Sequence, residues 1–440
     1  MLKRCQLVTC VLLSLLVGGS IATIQGQSAL PGSNGYLTSN IMQAIQNRHS
    51  DLVMVAAHRG LHAIWGSTVY PDTPENSLQS IYNAVTQGVE IIELDIRLTQ
   101  DGVPILSHDS TWGRNTNVGN NYGSCCFNPW GYAPPGLTVP DGDPGELGGG
   151  ADVASDPQAY RNPNVNGWSL DSVQSNNGGI LLRNSLNFSW SPWAEHPPTL
   201  QQALSYIASN RWAVVLALDI KDNTSMSSAW QVVARNEDYN GTLYAYSTFF
   251  KFDAAWVFPT YSDFQSAYSS HVVNPIYDDY NYMNIMPVFQ TSGIAPNLYG
   301  SESNELSADI DYLRQPYTVG TEVNLKQNPG ILSTLYNEGY SGATQKALGN
   351  FNPYAEWINP NDPSQSYQFY YSNGYCCAQL SQYFYNGAPN NQPSDTMDQR
   401  YDWNFILANQ NGFNIITTDN PLAMGYYLWE RGQRNTSYFY

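Results

Sequence analysis

Three short apolar runs near the start of the chain, Leu52–Ala57, Val89–Ile92 and Val103–Leu106, each end in a knot of ionisable residues. The knots are His58-Arg59, Glu93-x-Asp95 and His108-Asp109. An apolar run of strand length with its charges at the C-terminal end is the pattern of a buried parallel strand whose tip faces a solvent cleft. Between the first two runs, Asn76 to Gln87 has helical spacing, with Leu78, Ile81, Tyr82 and Val85 on one face and Gly88 as a stop. Strand, helix and strand in succession is the grammar of an α/β barrel, where active sites occupy the carboxyl ends of the strands. Further on, Trp212 to Lys221 repeats the pattern, seven apolar residues running into Asp219-x-Lys221.

The rest of the chain is read against these strands. Later strands are expected at Leu243–Tyr246, Ile285–Phe289, Tyr354–Ile358 and Phe413–Thr417, and helices at Ile41–Arg48, Leu200–Ser209, Ser225–Arg235, Gly330–Glu338 and Arg400–Gln410. Eight candidate strands suit one (β/α)8 TIM barrel over residues 28–440, swollen by long loop insertions, since such barrels begin near ~250 residues. The main insertion, about 110–197, is rich in Gly, Pro and Asn and is expected over the mouth of the site. Further insertions are expected at about 249–350 and 360–400.

Residues 1–27 carry Lys3 and Arg4, an apolar core from Val8 to Val17 and then small polar residues, the pattern of a secretory signal peptide. The expectation is a secreted, extracellular protein with no stable membrane anchor. A formal charge of −18 argues against nucleic acid and anionic bilayers as partners of the general field. Charged residues make up 12% of the chain and Tyr numbers 32, so the surface is polar but uncharged. Outside the signal segment the cysteines are Cys125, Cys126, Cys376 and Cys377. They allow three pairings; strain in vicinal pairing favours two bonds between the 125 and 376 regions. Sequons at Asn187, Asn223, Asn240 and Asn435 are candidate glycosylation sites.

Glu93 and Asp95, two apart on a strand, face the same way. With Asp219 they offer three hard oxygen ligands suited to one divalent cation, Mg2+ or Ca2+. His58 and His108, at strand tips on either side of this pair, are candidate acid and base at neutral pH. Arg59 and Lys221 supply fixed positive charge for a phosphate. Glu75 is expected to orient Arg59 or a histidine. Asp109 is read as a turn former, His62 as a bystander, His196 and His271 as loop residues, and Trp357 as either pocket wall or barrel core.

Residues 52–109 resemble the glycerophosphodiester phosphodiesterase family. The shared motifs are His58-Arg59-Gly60, Pro74-Glu75-Asn76, Glu93-Leu94-Asp95 and His108-Asp109, in the family's order. The resemblance implies a TIM barrel, two catalytic histidines, a carboxylate-bound metal and a phosphodiester substrate of small-molecule or lipid origin held by Arg59 and Lys221. It also implies that the insertion after the third strand covers the pocket. Asp219 departs from the family's Glu-x-Lys, shorter by one methylene. Asp219-x-Lys221 and Thr418-Asp419-Asn420-Pro421 are similar to the sphingomyelinase D group, which makes a phospholipase-D-like lyase the alternative enzyme. A catalytically silent barrel that binds glycan or cell-surface material is the alternative outside enzymes.

Overall fold

The computed structural model describes residues 35–63, 70, 72–112, 115–117, 164–175, 179–182, 193–268, 283–290, 299–324, 346–352, 368–369, 378–379 and 412–440. The elements in chain order begin with α1 (Thr38–Gln46), β1 (Met54–Ala57), α2 (Leu78–Thr86), β2 (Ile91–Leu98) and β3 (Pro104–Leu106). After α3 (Leu170–Gln174) come α4 (Leu200–Ser209), β4 (Val215–Ile220), α5 (Asn223–Arg235), β5 (Thr248–Asp253), α6 (Ala254–Val257), α7 (Tyr261–Tyr268) and β6 (Ile285–Gln290). The chain closes with α8 (Glu302–Leu313), β7 (Gly320–Asn324), β8 (Ala347–Asn352), the short antiparallel pair β9 (Gln368–Phe369) and β10 (Ala378–Gln379), β11 (Ile415–Thr418) and α9 (Pro421–Glu430).

Eight strands pair in parallel in the order β1-β11-β8-β7-β6-β5-β4-β2, and β1 pairs with β2 to close the ring. Alternation sorts the side chains. Val55, Leu94, Leu216, Phe250 and Ile416 point outward against the helices, while Met54, Ile91, Val215, Phe249 and Ile415 fill the barrel's lower interior. The amino end is sealed by Ile41 and Ile45 of α1 and by Phe439, all fully buried. What remains for the upper interior is polar, so the strand tips carry the chemistry.

Several expectations are corrected. The run Val103–Leu106 is no barrel strand: β3 lies antiparallel to β2, pairing Leu106 with Ile96, and sits outside the ring. Residues 243–246 form a 3-10 turn at Tyr244–Tyr246, and the strand follows at β5. The turn is what lets Tyr244 bury its ring and donate to Leu204 O at 3.0 Å. The span 249–350, expected to hold insertion, supplies most of β5, all of β6 and β7, and most of β8. The strand expected at Tyr354–Ile358 and the helices expected at Gly330–Glu338 and Arg400–Gln410 lie outside the described residues, as do Trp357, His271, residues 1–27 and all four of Cys125, Cys126, Cys376 and Cys377. The described part of the 110–197 segment packs Val165, Val173 and Ile180 on Ile105 and Trp112, a small satellite core beside β3. Among the described residues, no helix is long and apolar enough to cross a membrane.

Candidate active site

β2 is the hinge of the site. Glu93 and Asp95 are fully buried on its inner face, and Asp219 sits level with Asp95 on β4. One carboxylate oxygen from each of the three lies within 4.8 Å of the others. Lys221 Nζ bridges two of them, 2.8 Å from Asp95 Oδ1 and 2.7 Å from Asp219 Oδ2. Beside them Lys251 of β5 is level with Asp219 and pairs at 2.9 Å with Glu322 of β7, whose same oxygen accepts from Thr417 Oγ1 at 3.0 Å. Sequence reasoning passed over Lys251 and Glu322, because a buried ion pair across strands leaves no local pattern.

The loop after β1 places the next groups. Arg59 adopts φ 55°, and its backbone N–H donates to Glu93 Oε2 at 2.8 Å. Its guanidinium donates to Glu75 Oε1 at 2.8 Å and lies 3.3 Å from Asp95 Oδ2. Glu75 therefore fixes Arg59, helped by Asn115, which donates to the same oxygen. Asn76, also at positive φ, braces Asp95 twice: it donates to Oδ2 at 2.7 Å and accepts from the Asp95 N–H at 3.0 Å. Ser77 then caps α2 in a reciprocal capping box with Ser80. The Pro-Glu-Asn motif is thus a positioning device for Arg59 and Asp95.

The two histidines flank this centre, since β1 and β3 both pair with β2. Each is held at Nδ1 by a carboxylate. His58 Nδ1 is 2.6 Å from Asp419 Oδ1, and His108 Nδ1 is 2.7 Å from Asp109 Oδ1. Asp109 is buried and is an anchor, not merely a turn former. Asp419, at the tip of β11, was seen in the sequence only as part of a tail motif. His62 joins it, with Nε2 at 3.4 Å from the same Asp419 oxygen. His196 instead contacts the Ile180 carbonyl within the satellite segment, away from the chemistry.

The electrostatics follow from burial among fixed charges. Burial, then Asp95, pushes the Glu93 carboxyl well above the usual range. Burial would also raise Asp95, but Lys221, His108 and Arg59 hold it well below its ordinary value. Burial together with Arg59 and Lys221 pulls His108 down to about 4. Burial and Arg59 lower His58 too, against the opposing pull of Asp419. The His108 imidazole is accordingly neutral near pH 7, whereas on His58 the Asp419 carboxylate favours the proton.

The carboxylate trio suits a divalent ion. Glu93 Oε1 is buried and has no hydrogen-bond partner among the described residues, and a carboxylate oxygen in that state wants a proton or a cation. Three convergent carboxylates are a hard-oxygen donor set of the kind Mg2+ and Ca2+ take.

The site is thus a closed parallel α/β barrel that carries an acidic trio, two carboxylate-anchored histidines and two cations at its strand tips. Residues 58–269, just under half of the chain, match the model of the Glycerophosphoryl diester phosphodiesterase family. The chain is similar to Glycerophosphodiester phosphodiesterase 1 of Bos taurus, 43% identical over 76 residues, which are 17% of this chain and 20% of that protein. The counterpart in Rattus norvegicus is 46% identical over 67 residues, 15% of this chain and 18% of that one. The chain thus spans about a fifth of the length of the curated relatives it matches. A solved structure from Silicibacter pomeroyi, assigned to the same family, shares the barrel fold at TM-score 0.50 and 13% identity, over 91% of this chain and 99% of that one.

Proposed function

We propose that the protein is a secreted, metal-dependent phosphodiesterase that cleaves glycerophosphodiesters to glycerol phosphate and an alcohol. The observation that carries this reading is the pair of histidines, each anchored at Nδ1 by its own carboxylate, on either side of the Glu93/Asp95 strand. Anchoring Nδ1 leaves Nε2 of each ring as the atom that exchanges protons with substrate. Glu93, Asp95 and Asp219 would hold one Mg2+ or Ca2+, which when bound neutralises the phosphodiester and orients it. Arg59, locked by Glu75, and Lys221 supply positive charge where negative charge builds on phosphorus.

His108, the more strongly depressed imidazole, is the base. It takes the proton of the glycerol hydroxyl beside the phosphate as that oxygen attacks phosphorus. His58, on which Asp419 favours the proton, protonates the departing alcohol. A cyclic phosphate results, and water opens it with the two roles reversed. In this reading the substrate's own hydroxyl, beside the phosphate, is the nucleophile.

The test is turnover of glycerophosphocholine, glycerophosphoinositol and sphingomyelin by the purified protein, with EDTA and with Mg2+ or Ca2+ restored. Release of alcohol from a glycerophosphodiester, lost in EDTA and lost in His108→Ala, supports the reading. Choline release from sphingomyelin alone would shift it to the sphingomyelinase D type, which the short Asp219-x-Lys221 side chain favours. Full activity on a diester lacking the neighbouring hydroxyl would sink the cyclic route. A folded protein that turns over none of the three is a binding barrel.

A further inference from the structure

His62 lies between the His58-Arg59-Gly60 and Pro74-Glu75-Asn76 motifs, outside both, and plays no part in the reaction as described above. Its ring is nevertheless wedged, with its side chain 12% exposed, between two oxygens that can only accept hydrogen bonds. Nδ1 is 2.8 Å from the Ala63 carbonyl oxygen and Nε2 is 3.4 Å from Asp419 Oδ1. A neutral imidazole has one N–H, so one of these contacts would set a nitrogen lone pair against an oxygen; the doubly protonated ring satisfies both.

We propose that His62 is an imidazolium that balances the charge of Asp419 and thereby positions His58 and sets how firmly it holds its proton. The proposal rests on the phosphodiesterase reading, in which His58 is the acid, and adds His62 and Asp419 to it as positioning residues. Asp419 Oδ1 receives both rings, His58 at 2.6 Å and His62 at 3.4 Å. No metal ion fits in the shorter gap, because metal–ligand bonds of about 2.0–2.2 Å on each side would hold the two atoms roughly 3 Å or more apart.

Among the described residues, the charged and titratable groups facing His62 are Asp419 from the β11–α9 connection, Glu75 and Arg59 from the loops around α2, and through Asp419 the ring of His58. Burial opposes a charge on His62 and Arg59 adds to that opposition. The hydrogen bond and charge of Asp419, with Glu75, overcome both, so the ring is raised above its ordinary value. With His62 charged, Asp419 acts on His58 as a partly neutralised anion. With His62 neutral or absent, the whole carboxylate charge falls on His58, which then binds its proton more tightly.

The decisive experiment labels the histidines of the full protein with 15N and follows the ring nitrogens against pH, using His62→Gln to assign His62. The expected spectrum has both His62 nitrogens protonated at pH 7, and reversion to a neutral tautomer at that pH in Asp419→Asn. A single N–H on His62 of the wild-type protein at pH 6 overturns the proposal. This arm needs no turnover, so it stands apart from failure of the phosphodiesterase reading, which would appear as an inactive wild-type protein.

The kinetic arm uses glycerophosphocholine. In His62→Gln the alkaline limb of kcat/KM moves up by about 0.5–1 pH unit, the scale of one nearby charge, and in Asp419→Asn it moves down. His62→Lys, which keeps the charge, leaves the limb near its wild-type place. A fall in rate that is uniform across pH, with the limb unmoved in His62→Gln, assigns His62 to packing and overturns the proposal.

Discussion

His108 shows how one residue's surroundings choose its task. Its imidazole is buried and faces Arg59 and Lys221, so in the folded chain it refuses a proton until about pH 4, while Asp109 pulls the other way. An unfolded imidazole protonates near 6.5, so the folded state binds fewer protons than the unfolded one between those values. This residue's contribution to stability is therefore present above pH ~6.5 and lost as pH falls towards 4. For catalysis the sign is the same: His108 is available as a base at any pH above its depressed value. The acid limb of kcat/KM should lie below pH 6, read from initial rates over pH 4–8. Asp109→Asn removes the anchor at Nδ1 and should cost about 10²-fold in kcat while leaving the melting temperature within a few degrees. At this scale the sequence was legible where charge followed an apolar run, which is how His58, Arg59, Glu93, Asp95, His108, Asp219 and Lys221 were found together. It was illegible where the partner comes from across the barrel. Asp419 is 361 positions from His58, and the partner of Lys251 is Glu322, on a different strand.

Among the elements, the turn after β1 is the most constrained. Gly60 has φ +77°, and a Cβ there would stand 2.3 Å from Ser80 Oγ and 2.9 Å from the Ser80 carbonyl carbon. Ser80 Oγ in turn accepts from the Ser77 N–H and donates to Arg59 O. Gly60→Ala therefore strains the backbone and dislodges the α2 cap together, so a loss of about 2–4 kcal/mol is expected from the two effects. Urea denaturation measures it, and an unchanged midpoint would show that the turn adapts. The same elements explain what pattern reading missed. The segment Gly320-Thr-Glu-Val-Asn324 has one apolar side chain and no strand signature, yet it forms β7. Its Glu322 faces inward to Lys251 and Thr417, and Thr321 faces α8, where burial raises Asp309 to about 8. The third apolar run misled because apolar content reports burial, not direction. Pro104–Leu106 is buried as expected but runs antiparallel, and that reversal brings His108 back beside β2, with Ser107 N–H donating to Asp95 O at 3.1 Å.

The whole molecule divides its labour between the two ends of the barrel. The amino end is tied shut by the C-terminal segment: Val53 N–H donates to Gln433 O, Leu37 N–H donates to Phe439 O, and buried Arg434 grips Glu90 with both terminal nitrogens. Glu90 also accepts from the Val55 N–H at 2.7 Å. Arg434→Met would strand a buried carboxylate, and a loss of about 3–5 kcal/mol is expected, with no change in KM for the protein that remains folded. The carboxyl end behaves oppositely, because it concentrates buried negative charge that Lys221, Lys251 and Arg59 offset only in part. Glu93 shows the residue of that imbalance, with one oxygen unpaired and its carboxyl driven well above the usual range. A divalent cation at the trio would relieve this strain, so it should bind the folded chain and not the unfolded one. Ligand at 100 times its dissociation constant adds about 2.7 kcal/mol to stability, which in a chain of 440 residues is a rise of a few degrees in melting temperature. Mg2+ and Ca2+ should each be titrated against thermal unfolding, with Glu93→Gln as control. The control removes a ligand oxygen's charge while keeping its shape, so it should melt at or above the metal-free wild-type temperature and gain nothing from either ion. Equal gains in both proteins would place the ion elsewhere, and no gain in either would leave Lys221 as the trio's own counter-charge.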